Sequence, residues 1–265
     1  MRNILVPVGN PENAQETLQY AADFAAAFGA QVYAMEVLNV TTRAGDLANL
    51  KEKVVESSQE RLRELISGLD RNKEGIKIAT YAGEFIDAIK DLGRELEIDL
   101  IIIAPRSVEM DESLYLGNTT GRLIKRTNIP TLIVPKGIVF KPYKKILTAF
   151  RSGVLKRKRI LDPLIAIRDK FRAEVSLLLV KTPNYTDEDL MINTGLMDIA
   201  RRVTMTEQAT TYLGVLEHIQ SSEADLLCVF RRKRGFFSNL WEKNTIPKSE
   251  FSSRIPVLVL SVKKY

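Results

Sequence analysis

The chain has 265 residues, of which 45% are hydrophobic, and it carries a formal net charge of +6. That length allows one large domain or two ordinary ones. A single cysteine and a single histidine exclude an internal disulfide and argue against a zinc site. No apolar run reaches the ~18 residues of a membrane span. No signal-peptide pattern begins the sequence, so we expect a cytoplasmic protein without a membrane partner.

Short apolar runs alternate with amphipathic segments along the first half of the chain. Taken in order, the predicted strands cover residues 4–8, 32–37, 76–81, 98–104 and 131–135. Apolar residues recur at helical spacing over 18–28, 47–66 and 85–96, and Gly117 to Thr120 begin a further helix that carries Leu123 and Ile124. Strands that alternate with helices predict an α/β fold with a parallel, doubly wound sheet.

The same pattern then restarts. Residues 145–150 repeat 3–8, residues 225–230 repeat 99–104, and residues 255–259 repeat 129–133. The last two pairs share an offset of 126 residues and the first has 142, so the second half is shorter between its second and fourth strands. We therefore predict two repeated domains, residues 1–137 and 144–265, with a linker at 138–143. Each is predicted to be a five-stranded parallel sheet of order 3-2-1-4-5 with helices on both faces.

The charge is distributed unevenly between the two halves. Residues 1–140 hold 16 Lys and Arg against 20 Asp and Glu, a net of −4, whereas residues 141–265 hold 23 against 13, a net of +10. Two basic runs, 156–159 and 231–234, follow the first and fourth predicted strands of the second half. Those strands flank the switch point of a doubly wound sheet, where ligands bind. The runs therefore predict an anion site, with a solvated basic face as the alternative; its candidate residues are Arg151, Arg231, Arg232 and Arg234.

Three stretches resemble the universal stress protein family in its tandem, two-domain form. They are Ile4-Leu5-Val6-Pro7 with Glu12-Asn13-Ala14, then Asp99 to Ala104, then Ile129-Pro130 to Val134. The resemblance implies a five-stranded parallel sheet whose domains pair through their last strands. The two halves of this chain would then pair internally as a pseudo-dimer, and a homodimer is a further arrangement that the resemblance leaves open.

Some members of that family bind ATP through Gly, two residues, Gly, nine residues and Gly-Ser, with an acidic residue just after the first strand. This chain keeps the spacing but one glycine of three, and Gly9 stands at the acidic position. The site residues that the resemblance implies are Pro7, Val8, Gly9, Val37, Ala104, Ser107, Gly117, Asn118, Thr119 and Thr120. In the second half the matching positions depart further: Phe230, Lys233, Lys243 and Asn244, with Arg151 at the acidic position.

The sequence shows no Ser/His/Asp set, paired-carboxylate motif, P-loop or metal-spaced histidines, so we expect no enzyme. It also shows no recognised RNA- or DNA-binding motif, so we expect no nucleic-acid partner. The first hypothesis is a regulatory or interaction protein of the stress response whose nucleotide site in the first half is degenerate. The alternative is a stress protein that binds ATP or another adenine nucleotide, such as AMP, through its first half.

Overall fold

The computed structural model describes residues 1–9, 11–38, 47–105, 113–155, 159–183, 185–232, 244–248 and 251–262. We call residues 1–137 the N-half and residues 144–265 the C-half. The N-half contains β1 (Asn3–Pro7), α1 (Pro11–Phe28), β2 (Gln31–Leu38), α2 (Leu47–Ser67), β3 (Lys77–Ala82), α3 (Phe85–Glu95), β4 (Leu100–Ile103), β5 (Leu114–Leu116), α4 (Asn118–Arg126) and β6 (Thr131–Ile133).

The C-half follows the same plan with shorter helices. It contains β7 (Lys145–Phe150), α5 (Asp162–Phe171), β8 (Glu174–Lys181), a 3-10 helix (Asp187–Leu190), α6 (Thr194–Ile199), β9 (Ala200–Glu207), α7 (Thr211–Ser222), β10 (Leu226–Arg231), β11 (Ile246–Pro247) and β12 (Val257–Ser261). None of the helices in the described part of the chain combines the length and apolar character needed to cross a membrane.

Ten of these strands form one sheet, in the order β3-β2-β1-β4-β6-β12-β10-β7-β8-β9. Within each half, every pair of neighbouring strands is parallel. β6 and β12 are antiparallel, and Leu132 lies opposite Leu258. The predicted α/β class is therefore confirmed. The repeat predicts two sheets, and the structure joins these into one through the last strand of each half.

The sheet is covered on both faces, which explains its uniformly apolar strands. All four residues of β4 are buried. Leu100 and Ile102 belong to the core beneath α1, α2, α5 and α6, whereas Ile101 and Ile103 belong to the core beneath α3, α4 and α7. Each core is built from both halves, so the apolar packing is continuous across the β6–β12 join.

The two halves differ most in the helices that cover them. α2 has 21 residues and lies against β2 and β3, whereas its counterpart α6 has six. Val203 and Met205 of β9 are consequently 37% and 51% exposed. The counterpart of α4 is missing at the described residues before β12: Asn244 has a φ of 57°, and β11 follows it. β11 pairs antiparallel with β5, and the sequence pattern predicts neither strand.

An aromatic cluster connects the halves on the α1 side of the sheet. The rings of Phe24 and Phe140 lie 5.6 Å apart, those of Phe28 and Phe171 lie 5.5 Å apart, and those of Phe140 and Phe171 lie 5.8 Å apart. Phe140 belongs to the linker at 138–143, and Phe171 ends α5. Because α1, the linker and α5 meet in one cluster, the linker is held between the halves by apolar packing.

We predict that Phe24→Ala lowers the free energy of unfolding by about 3–5 kcal/mol, because it empties a fully buried ring position in this cluster. Urea denaturation measures the change. Val139→Ala is the matched control, since Val139 lies in the same linker and is 64% exposed; we expect it to change stability by less than about 0.5 kcal/mol. Equal losses in the two variants would contradict the cluster's role.

Candidate nucleotide and anion sites

Four residues of the predicted nucleotide site meet at one cleft of the N-half. Pro7 ends β1, Val8 and Gly9 follow it, and Ala104 follows β4, the strand beside β1. This edge is the switch point of the N-half sheet. The described residues that line the cleft are Val6, Pro7, Val8, Gly9, Asn13, Ala14, Thr17 and Ala104. They enclose about 10 Å³, room for about one water molecule.

The start of α4 is bound directly to the end of β4. The Thr120 hydroxyl donates a hydrogen bond to the carbonyl oxygen of Ala104 at 3.1 Å, and the Gly117 N–H donates to the carbonyl of Pro105 at 3.0 Å. Gly117 is the N-cap residue, with φ −78° and ψ 166°, and Ala104 is not among the residues with positive φ. The backbone conformation therefore requires glycine at neither Gly117 nor Ala104. A side chain at these positions would instead affect how closely a ligand can approach the backbone.

The remaining residues of the predicted nucleotide site differ from one another in burial and in the groups that they contact. Asn118 and Thr119 form the half-buried first turn of α4. Thr120 is fully buried and its hydroxyl is already bonded to Ala104, so its side chain is not placed as a ligand group. Val37 is paired with Tyr81 and packs against the core on the α3 side, so it is not among the described cleft-lining residues. Ser107 lies outside the described residues.

In the C-half, the corresponding edge is filled by the chain itself. The segment 187–193 lies across the loop that follows β7. The Gly153 N–H donates to the carbonyl of Asp189 at 3.0 Å, and the Asn193 N–H donates to the carbonyl of Gly153 at 3.0 Å. A Cβ atom on Gly153 would come within 2.5 Å of the Cα of Ile192, so the two backbones are in direct contact. This contact occupies space at the predicted anion crevice.

Asp189 supplies a negative charge in that crevice. Its carboxylate lies 3.9 Å from the guanidinium of Arg151, with the two side chains 22% and 18% exposed. Burial raises the pKa of Asp189. Hydrogen bonds from Ser152 and from the backbone and hydroxyl of Thr186, together with the charge of Arg151, outweigh burial and hold that pKa below its ordinary value. Arg151 therefore faces a carboxylate of its own half.

Arg232 is directed to backbone acceptors in the same loop. Its guanidinium donates to the carbonyl of Ser152 at 3.2 Å and to the carbonyl of Val154. Burial lowers the pKa of Arg232, and the charge of Asp189 opposes that shift. Arg234, the fourth residue predicted for the anion site, lies outside the described residues. The described cations of this crevice thus already interact with groups of the protein.

The prediction that Arg231 belongs to the anion site is wrong, because its side chain does not line the crevice with Arg151. Its guanidinium donates to the carbonyls of Ile124 at 2.8 Å and Lys125 at 2.7 Å, to Oδ1 of Asn128 at 2.6 Å, and to the hydroxyl of Ser261. It is 3% exposed. The two carbonyls belong to the last turn of α4, where the helix dipole favours a cation. Arg231 therefore connects the C-half to the N-half and is not accessible to a solvent anion.

Neither the apolar periodicity nor the charge pattern of the sequence indicates Asp189 or Asn128 as a partner of the arginines. The one local signal for Asp189 is the spacing Thr186-x-x-Asp189, a capping box in which each residue's side chain accepts from the other's backbone N–H. Nothing in the described part of the chain groups three or more His, Cys, Asp or Glu side chains for a metal. Cys228 is fully buried in β10, and burial raises the pKa of its thiol, as a core residue requires.

We predict that Arg231→Met lowers the free energy of unfolding by about 3 kcal/mol, because it leaves buried carbonyls at the end of α4 without their cationic donor. Urea denaturation measures the loss. Arg254→Met is the matched control, since Arg254 is an exposed arginine of the same half. Equal denaturation midpoints for the two variants would show that the connection to α4 is energetically unimportant.

We predict that Asp189→Asn lowers stability at pH 7 by up to about 1 kcal/mol. The pKa of Asp189 lies below the ordinary 3.8, so its contribution is fully present above that value and is lost as the pH falls through the lowered pKa. Denaturation curves of parent and variant should therefore differ at pH 7 and converge below about pH 4. Asp187→Asn, an exposed change on the same 3-10 helix, should show no such convergence. A parent–variant gap that is independent of pH would contradict the assignment.

Comparison with known proteins gives the family. Residues 1–135 match the model of the Universal stress protein family. A universal stress protein of Methanocaldococcus jannaschii is 28% identical over an alignment of 142 residues, and the match covers 51% of this chain and 82% of that protein. The structure of a universal stress protein from Archaeoglobus fulgidus covers 99% of this chain and 97% of its own, with 19% identity and a TM-score of 0.69. A functionally unknown protein from Pseudomonas aeruginosa covers 99% and 93%, with 15% identity and a TM-score of 0.57. The structural likenesses concern the fold, and the match over half of the sequence shows that this chain belongs to the universal stress protein family.

Proposed function

We propose that the chain is a non-catalytic, cytoplasmic universal stress protein of the tandem form that acts by regulatory interaction. Its two domains are residues 1–137 and 144–265, joined by the linker 138–143, and the nucleotide site of the first domain is degenerate. The observation that carries the proposal is that protein groups already engage the positions a nucleotide phosphate would need. Pro105 accepts the Gly117 N–H in the N-half, and Asp189 faces Arg151 in the C-half.

The chemistry of the N-half cleft supports this proposal. Gly9 provides no carboxylate where the nucleotide-binding members of the family carry an acidic residue, so an acceptor for the sugar hydroxyls is lacking. Ala104 adds a Cβ atom where those members have glycine, and a Cβ atom keeps a phosphate farther from the backbone. The described cleft encloses about 10 Å³, whereas small-molecule pockets enclose roughly 300–1,000 Å³.

Adenine-nucleotide binding by the N-half is the second candidate function, and one observation favours it. Pro7, Val8, Gly9 and Ala104 line one cleft, and the hydrogen bond from Thr120 holds the start of α4 against Ala104. The N–H groups of a helix's first turn and the helix dipole both favour a phosphate. On this hypothesis, ATP or AMP contacts the backbone of Ala104 and of the first turn of α4.

Titration calorimetry with ATP and AMP distinguishes the two functions. We predict that the parent protein binds neither at about 1 mM. A variant that restores the family pattern, with Gly9→Asp, Ala104→Gly, Ser107→Gly and Asn118→Ser, should gain ATP binding. Mass spectrometry of the purified parent protein should likewise find no nucleotide carried through purification.

The opposite pattern would favour nucleotide binding over the degenerate site. In that case the parent binds ATP, and Gly117→Val abolishes binding because a β-branched side chain obstructs the approach of phosphate to the backbone. The extended φ of −78° at Gly117 is compatible with valine. Thermal unfolding of Gly117→Val then separates loss of the site from loss of the fold.

A further inference from the structure

The strand β9 ends the ten-stranded sheet on the C-half side, and β8 is its one neighbour among the described strands. In the described part of the chain, the outer backbone groups of β9 therefore face no further strand, and such an edge is a template for pairing with another chain. The strand at the other end of the sheet, β3, carries none of the exposed large apolar side chains of the described residues, whereas β9 carries Val203 and Met205.

These two side chains are exposed because the C-half has no long helix over them. Val203 lies beside Leu177 of β8, which belongs to the core beneath α1, α2, α5 and α6, and Met205 follows two residues later on the same face. In the N-half the 21-residue helix α2 covers this face, whereas α6 has six residues. The edge of β9 therefore combines outward backbone groups with apolar side chains.

The pairing with β8 determines which backbone groups of β9 point outward. The Gln208 N–H donates to the carbonyl of Lys181 at 3.0 Å, so the even-numbered residues direct their backbone groups towards β8. The register is regular over residues 202–207, so the odd-numbered residues direct theirs away from β8. In an antiparallel pair of identical strands, outward groups must meet outward groups. The two-fold axis between two copies of β9 must therefore pass a single residue.

The sequence of β9 is complementary to itself when that axis passes Thr204. Val203 then lies opposite Met205 of a second copy, so the exposed apolar side chains cover each other. Arg201 lies near Glu207 of the second copy, so the basic end of one strand meets the acidic end of the other. An axis at Met205 would instead place Val203 opposite Glu207. An axis at Val203 would place Met205 beside Arg201.

The ion pairs within each copy extend this complementarity. Arg201 pairs with Glu174 of β8, and its side chain is 71% exposed. Glu207 lies 3.3 Å from Lys181 of β8, and its side chain is 74% exposed. Across the two copies the charges would run acidic, basic, acidic and basic, from Glu174 of one copy to Lys181 of the other. Alternating charges in a network stabilise more than isolated surface pairs do.

We propose that two copies of this chain associate by antiparallel pairing of β9 with β9, around a two-fold axis at Thr204. This inference goes beyond the proposed function, because it assigns a partner and a surface and involves no nucleotide. The backbone of the two edges supplies hydrogen bonds, and Val203 and Met205 supply the apolar contact. One strand from each copy makes a small interface, so the dissociation constant should be roughly 1–100 μM.

Sedimentation velocity across that concentration range tests the association. The parent should change from monomer to dimer as its concentration rises. The double variant Val203→Lys with Met205→Lys should weaken dimerisation at least tenfold, because it places lysine opposite lysine. Both positions are exposed, so its thermal unfolding should stay close to that of the parent. Val54→Lys, a change at an apolar residue of α2 that is 39% exposed, is the matched control and should leave dimerisation unchanged.

Cysteine cross-linking tests the register. At an axis through Thr204 the two Cα atoms would be about 4.5 Å apart, within reach of a disulfide. Thr204→Cys should therefore form a covalent dimer when diamide oxidises the two thiols. Val203→Cys and Met205→Cys should not, because each residue would lie two positions away from its own copy. Cys228 is fully buried, so it does not compete.

Three results would overturn the proposal. A parent that stays monomeric throughout the range would leave the edge to a strand of a different protein. A dimer that the double lysine variant leaves intact would lie on another surface. Preferential cross-linking through Val203→Cys or Met205→Cys would show another register. None of these measurements involves a nucleotide, so failure of the proposed function and failure of this proposal are distinguishable.

Discussion

The antiparallel pairing of β6 with β12 is the constraint on which the rest of the molecule depends. Each strand would otherwise be an open edge with unpaired backbone groups, and their union removes both edges at once. Because the two strands run in opposite directions, the carboxyl edge of each half lies beside the segment that leads into the other half's last strand. That geometry brings Arg231 to the end of α4, and it brings Ala104 to the segment before β12.

The repeat and the apolar periodicity predict most of this architecture, because strands covered on both faces leave a continuous hydrophobic signal. The run Asp99 to Ala104 and its copy at 225–230 both become central strands. The two-residue strand β11 could not be predicted, because Ile246–Pro247 lacks the length and alternation of a strand and forms one only by pairing with β5. The sequence likewise does not predict that the described residues before β12 lack a counterpart of α4.

The sequence predicts where the candidate sites lie, but it does not predict which groups their side chains bind. Pro7, Val8, Gly9 and Ala104 meet because parallel strands end at a common edge, which a strand prediction already implies. The run 231–234 reads as one basic patch, yet Arg231 lies across the domain join and Arg232 binds carbonyls near Gly153. Consecutive strand residues face opposite sides of a sheet, so a run of like charges there cannot act as a unit.

Duplication has therefore given two equivalent edges that now differ in chemistry. In the C-half, the shortened connection between β8 and β9 places Asp189 beside Arg151, so that cation faces a counter-charge of its own half. In the N-half, the full-length helix α2 takes up the corresponding stretch of chain. The N-half edge instead carries Gly9 where Arg151 stands in the repeat, so it has no cation at that position. A cation that already faces a carboxylate of its own half gains little from a bound anion. The same strand order therefore positions both edges, and the residues that follow the strands decide the charge at each.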